Sequence, residues 1–410
     1  MPRIIFLGAF ILLLVGCERR QPQWQPEAAM DDQFFPALII ATVSTRPVAQ
    51  EDEEAQQADP YLLGDRFGLL GVSISVPSPE AIIRVTIKEN DIMDAAVWTG
   101  KLPLANHDYY IAPKLNYKFD NLRKITQPVA LNVEFEVETD GKPLGSKTET
   151  LQLRSINDCP YGVANSEETI DDENFQSGSA DMGWMLAAYV NENHPYLDKI
   201  LKEALATKIV DVFDGYRAND PGQVMKQTFA LWVALQKHES QYGSATEVSG
   251  GSSLVNSQTV RFLGQSDTNS RTNCVDGSIL FASLLRKIGV NAFLVTMPGH
   301  MYVAFDLNNS EDENDRDYVG LETTLLGAAE LDSSDSALPE HLAALANQLG
   351  ENMRTSRAWK SFVAAVITAN DDLDKHREKF DAGDPEYQVV DITKARKEGI
   401  LPISFEAMPR

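Results

Sequence analysis

Between residues 65 and 156 the chain alternates apolar and polar positions in short runs: GLLGVSISV, AIIRVTIKE, AAVWTGKLPL, VALNVEFEVET and TETLQLRSI. A period of two, rich in β-branched residues, predicts half-buried strands. Asp140-Gly141 between two of the runs is a hairpin signal. Five or more such strands separated by turn residues predict an antiparallel β-sandwich over 61–156. His, Cys and carboxylates do not cluster there, so this region reads as a spacer or recognition module.

The period lengthens near residue 180. GWMLAAYV is followed by PYLDKILKEALAT, with apolar Leu197, Ile200, Leu201, Ala204 and Leu205 at helical spacing. In DPGQVMKQTFALWVALQKH, Asp220 is placed to cap a helix, Pro221 suits its first position and Gln223 completes a capping box. Val224, Thr228, Leu231, Trp232 and Leu235 then share one face, which makes Trp232 a core residue. After the Gly/Ser-rich SGGSSLVNS comes NCVDGSILFASLLRKIGV, a helix opened by Asn273 and closed by Gly289. Three strands are predicted next, in NAFLVTM, PGHMYVAFDL and YVGLETT, with the acidic NNSEDENDRD between the last two. LPEHLAALANQLGENM and SRAWKSFVAAVITANDDLDKHREKF read as helices, and EYQVVDITKARKEGILPIS as a tail. The whole is an α+β chain, with a mixed domain over 157–410 after the β-rich one.

The first 60 residues break both patterns. MPRIIFLGAFILLLVGC places Arg3 before an apolar run from Ile4 to Val15, shorter than the ~20 residues that cross a bilayer. It fits a secretory signal peptide over 1–16, and its end, Leu14-Val15-Gly16-Cys17, resembles a bacterial lipobox. That resemblance implies cleavage before Cys17 and its acylation, hence a lipid-anchored envelope protein facing the periplasm. Glu18 stands where an Asp would favour inner-membrane retention, which points to the outer membrane. Residues 17–60 carry polar, Pro-bearing and acidic stretches and read as a tether, with PALIIATVS as one β-strand.

Charge narrows the partners. The 60 acidic and 36 basic residues give a formal charge of −24. Removing Arg3 with the leader takes the mature chain to about −25. A surface of that sign repels nucleic-acid phosphates and anionic lipid, so nucleic acid is excluded as a partner and membrane attachment rests on the acyl group.

Three cysteines are present. With Cys17 lipidated, Cys159 and Cys274 remain, either as one disulfide or as free thiols. Cys274 opens its helix, with Asp276 in the first turn, and a helix N-terminus is where a thiol becomes a nucleophile. His300 begins a strand. If Phe305 faces Asp317 in a hairpin around the acidic loop, His300 faces Glu322, with Cβ atoms ~5 Å apart on one face. Glu322 then holds one ring nitrogen and leaves the other for Cys274.

The order Cys on a helix start, His on a strand and acid on the next strand, in NCVDGSILFASLLRKIGV, PGHMYVAF and YVGLETT, resembles the transglutaminase-like superfamily. LAAYVNENHP and FDGYRAND extend the likeness toward bacterial envelope proteins carrying this domain. The resemblance implies a papain-like α+β domain in which Cys274 is nucleophile, His300 general base and Glu322 the orienting acid, in a position where the family usually has Asp. It implies an acyl-thioester chemistry on amide bonds of peptides, proteins or peptidoglycan stems, with no cofactor or metal. The Cys274 N–H is one oxyanion donor, and Gln258 or Gln265 is a candidate second donor by residue type. The alternative is an inactive binding or scaffold lipoprotein on the same fold.

Other motifs carry less. HESQY at 238–242 starts like a zinc helix but has Tyr242 where the second His belongs. Glu311, Asp312, Glu313, Asp315 and Asp317 lack the glycine-centred spacing of a calcium loop and read as a solvated charge run. Without a Gly-rich loop after a strand, nucleotide binding has no support.

Overall fold

A computed structural model describes residues 21–43, 59–163, 170–171, 174–175, 180–237, 254–264, 273–310, 312, 315–326, 338–384 and 386–403. The chain is a mixed α and β protein and divides into two compact units, 1–180 with 250–257 and 181–249 with 258–410. The leader, Cys17 and HESQY lie outside the described residues.

Two larger sheets hold most strands of the first unit. One has strand order β1-β4-β7-β3, from β1 (Gln23–Ala28), β3 (Leu62–Gly64), β4 (Leu70–Ser75) and β7 (Asp108–Ala112). The other has order β2-β9-β8-β5-β6, from β2 (Gln33–Phe34), β5 (Ala81–Ile87), β6 (Ala96–Leu102), β8 (Val129–Thr139) and β9 (Lys142–Leu153). Alternation works as expected: Ala81, Ile83, Val85 and Ile87 are buried, while Ile82 and Arg84 are exposed. Thr139 pairs with Lys142 across Asp140-Gly141, the hairpin read from that dipeptide. Two pairings, β3 with β7 and β2 with β9, are parallel rather than antiparallel.

Part of the expected tether is folded. β1 pairs with β4 from Gln23↔Ser75 to Ala28↔Leu70, and PALIIATVS forms α1 (Pro36–Thr42), not a strand. Pro36 sits at the first helical position, where its fixed φ suits a helix, and Pro36 to Ala41 are all buried. An apolar run buried on every side carries no period, so helix and strand look alike in it.

The short α2 (Phe119–Leu122) and strands β10 (Asp158–Val163), β11 (Ile170–Asp171) and β12 (Asn174–Phe175) complete this part of the chain. β13 (Ala180–Asp181) and β14 (Val255–Thr259) lie where the chain passes between units.

The second unit opens with a 3-10 turn, Gly183–Tyr189, then α3 (Pro195–Ala206) and α4 (Pro221–Gln236). Asp220 caps α4 by accepting from the Gly222 N–H at 2.8 Å. The helix α5 (Cys274–Lys287) leads into β15 (Ala292–Met297), β16 (His300–Asp306) and β17 (Tyr318–Leu321). After them come α6 (Glu340–Gln348), α7 (Glu351–Arg354), α8 (Arg357–Lys375) and α9 (Arg377–Asp381). The expected tail supplies β18 (Gln388–Asp391), which pairs with β15, and α10 (Ile392–Lys397). The resulting sheet is antiparallel, in order β17-β16-β15-β18.

Trp232 of α4 is fully buried, as expected, against Phe281 of α5 and Phe362 of α8. Its indole N–H donates to Ser361 Oγ at 2.9 Å, so the polar end of the ring is satisfied inside the core. The helix α8 lies close on β17. A Cβ added at Gly320 would stand 2.8 Å from the Ala369 Cβ, and the Asn370 side chain bonds both the N–H and the C=O of Gly320. Among the described residues, no helix is long and apolar enough to cross a membrane.

Candidate active site

Asn273 caps α5 by accepting the Asp276 N–H at 2.8 Å. That leaves the first amides of the helix, including that of Cys274, directed out of its N-terminus. Asp276 contributes beyond its favourable place in the first turn, because its Oδ1 accepts the Arg261 N–H at 2.9 Å. This second bond joins the segment before the helix to the helix start, and the sequence carries no signal for it.

His300 is delivered by a hairpin. Met297 pairs with His300 across Pro298-Gly299, and Gly299 has φ of +69°, a conformation suited to glycine. The imidazole therefore projects from the first residue of β16 instead of from the middle of the sheet.

The expected hairpin register is shifted by two residues. Phe305 faces Val319 rather than Asp317, and Val303 faces Leu321, the last residue of β17. Glu322 thus lies just past the strand. A two-residue shift preserves the face, since side chains repeat every second residue. The acid still meets the imidazole: Glu322 Oε2 lies 2.6 Å from His300 Nε2. Its other oxygen, Oε1, accepts the Thr324 N–H at 2.9 Å, and the Glu322 N–H donates to Ala365 O of α8 at 3.0 Å. The carboxylate is thus held at both oxygens, and the backbone that carries it is tied to α8.

The electrostatics agree with this geometry. His300 is pushed up to about 10 by hydrogen bonding with Cys274 and with Glu322, against the opposing effect of its partial burial. Burial pushes the Glu322 carboxyl up, but its bonds to His300 and Thr324 hold it below the ordinary glutamate value. With Nε2 engaged by Glu322, Nδ1 is the nitrogen left for the thiol. The His300 side chain keeps 27% exposure and that of Glu322 only 4%. Solvent therefore reaches the pair from the imidazole side.

Within the second unit His300 and Glu322 are bonded, and Cys274 at the start of α5 is near enough to His300 to raise it. Both Cys159 and Cys274 are free thiols, which removes the disulfide alternative. Cys159 is fully buried, and that burial pushes its thiol up. Of the two candidate second donors, Gln265 lies outside the described residues. Gln258 donates its Nε2 to Thr259 O at 3.0 Å. Among the described residues, no group of three or more His, Cys, Asp or Glu could hold a metal. No family model, curated protein or solved structure matches the chain.

Proposed function

We propose that the second unit is a transglutaminase-like cysteine enzyme, acting on amide bonds of peptides, proteins or peptidoglycan stems. The observation that carries this reading is the His300 imidazole held by Glu322 at 2.6 Å, with the thiol of Cys274 as the other group that raises it. His300 takes the Cys274 proton, and the sulfur attacks the carbonyl carbon of the substrate. The Cys274 N–H, at the start of α5, faces the developing oxyanion. The imidazolium then gives its proton to the departing amine as the C–N bond breaks, leaving an acyl-thioester. Water or a second amine releases the acyl group. Glu322 keeps the imidazole in one orientation and stabilises its charged form. Within this reading the first unit is a β-sandwich spacer or recognition module, and the protein is anchored to the outer membrane through acylated Cys17.

A second reading, an inactive binding module of the envelope, draws on the burial of Cys274, a residue with 5% exposure. Intact-mass analysis separates the two. Peptide amides or stem peptides mixed with the protein and quenched in acid should leave an acyl mass on the native chain and none on Cys274→Ala. Absence of both adduct and released amine across these substrates, with the cellular role retained in Cys274→Ala, would establish the binding module.

A further inference from the structure

Ser278 lies four residues after Cys274, one turn further along the same face of α5. It is fully buried. Its Oγ lies 3.3 Å from the carbonyl oxygen of Met301, the residue after His300, and 3.1 Å from Oγ1 of Thr323, the residue after Glu322. One hydroxyl on the nucleophile's helix is therefore bonded to the immediate neighbour of each of the other two members.

Proton counting orders these bonds. Ser278 has one proton, and the Met301 carbonyl can only accept, so Ser278 donates to Met301. The Thr323 hydroxyl then donates to Ser278 Oγ, giving a chain from Thr323 through Ser278 to Met301. Another buried serine of the same helix behaves differently. Ser283 donates to the carbonyl of Ile279 four residues back at 2.7 Å, the common habit of a helical hydroxyl. Thr228 does the same toward Val224 in α4. Ser278 instead directs its proton to the sheet.

We infer that Ser278 is a positioning residue, which sets the separation of Cys274, His300 and Glu322 by tying α5 to the start of β16 and to the segment after β17. This inference rests on the proposed catalytic reading. Apolar packing between helix and sheet is non-directional, whereas these hydrogen bonds fix both distance and angle. With them, a slide of the helix along the sheet breaks two hydrogen bonds at once, so Cys274 stays in register with the imidazole.

The test is the titration of the His300 ring by NMR, in full-length protein carrying Cys159→Ser throughout. Cys274→Ala is the control on the catalytic reading: it should lower the His300 midpoint, and an unchanged midpoint would remove the thiol–imidazole pair and this inference with it. Given that pair, Ser278→Ala should lower the midpoint by about one pH unit, a tenfold loss of coupling. It should also move the pH profile of Cys274 alkylation toward that of His300→Asn. Ser278→Thr keeps the hydroxyl and should restore both. Thr323→Val probes the same bridge from the acid side if Ser278→Ala folds poorly, and should lower the midpoint likewise. A native midpoint and a native alkylation profile in Ser278→Ala or Thr323→Val, alongside an effect of Cys274→Ala, would overturn the positioning role while sparing the catalytic reading.

Discussion

His300 and Glu322 are bonded at 2.6 Å although they are not partners in the strand ladder. The acid stands one residue beyond the end of β17 and reaches onward to the first residue of β16, which is a task for the longer glutamate arm. Shortening that arm by one methylene in Glu322→Asp should break the contact or draw the turn inward. Activity is expected to fall about tenfold or more, as for a loss of ~1.4 kcal/mol of transition-state stabilisation. Glu322→Gln removes the charge and keeps the length. It should cost about 1–3 kcal/mol of stability, the range for a hydrogen bond to a charged group, as read by denaturant unfolding.

Stability should depend on pH through this pair. His300 is raised above its unfolded value of 6.5, so its contribution is complete below 6.5 and disappears as pH climbs toward about 10. Glu322 is lowered from 4.5, so its contribution is complete above 4.5 and is lost as pH falls through its folded value. The pair therefore contributes fully between about pH 4.5 and 6.5. Thermal unfolding of the native protein and His300→Asn across pH 4 to 10 should show curves furthest apart in that window. Parallel curves would contradict the assignment.

The two thiols should differ in chemistry. Cys159 is fully buried and pushed up, whereas Cys274 opens a helix near the His300 imidazole. Iodoacetamide should alkylate the folded protein at Cys274 at least tenfold faster than at Cys159, and unfolding should equalise them. Peptide mapping after timed quenching reads both rates.

Gly320 should resist any larger residue. Its missing Cβ lets α8 approach β17, and α8 also supplies the Ala365 carbonyl that accepts the Glu322 N–H. Gly320→Val should destabilise by about 1–3 kcal/mol, as overpacking does. It should also lower the rate of Cys274 chemistry beyond what reduced folding explains, because the helix and the acid move together. Equal loss in folded fraction and rate would show that α8 does not support Glu322.

Much of this arrangement was legible along the chain. Asn273, Cys274 and Gly289 marked both ends of α5, and the apolar pattern of PGHMYVAFDL placed His300 at a strand start. These are local signals, set by capping and strand patterning. The register of β16 on β17 was missed by two residues because it depends on where the acidic loop closes, which no periodicity encodes. The pairing survived because parity, not absolute register, decides which face a side chain occupies. β1 and α1 were hidden for a different reason. Their context is the β4 neighbour and a buried pocket, and polar flanks made the segment look like a tether. Ser278 and Thr323 resemble any other hydroxyls until helix and sheet are brought together.

The place of β18 in the sheet has a temporal consequence. This strand comes from residues 388–391 and covers the side of β15 that β16 leaves open. A chain still leaving the ribosome has already made Cys274, His300 and Glu322 while that edge of β15 remains unpaired. The edge is a template for stray strand addition until residues 388–391 arrive. Maturation of the site is therefore tied to synthesis of this strand, and a product truncated before β18 would carry every reactive group on an unfinished and adhesive sheet.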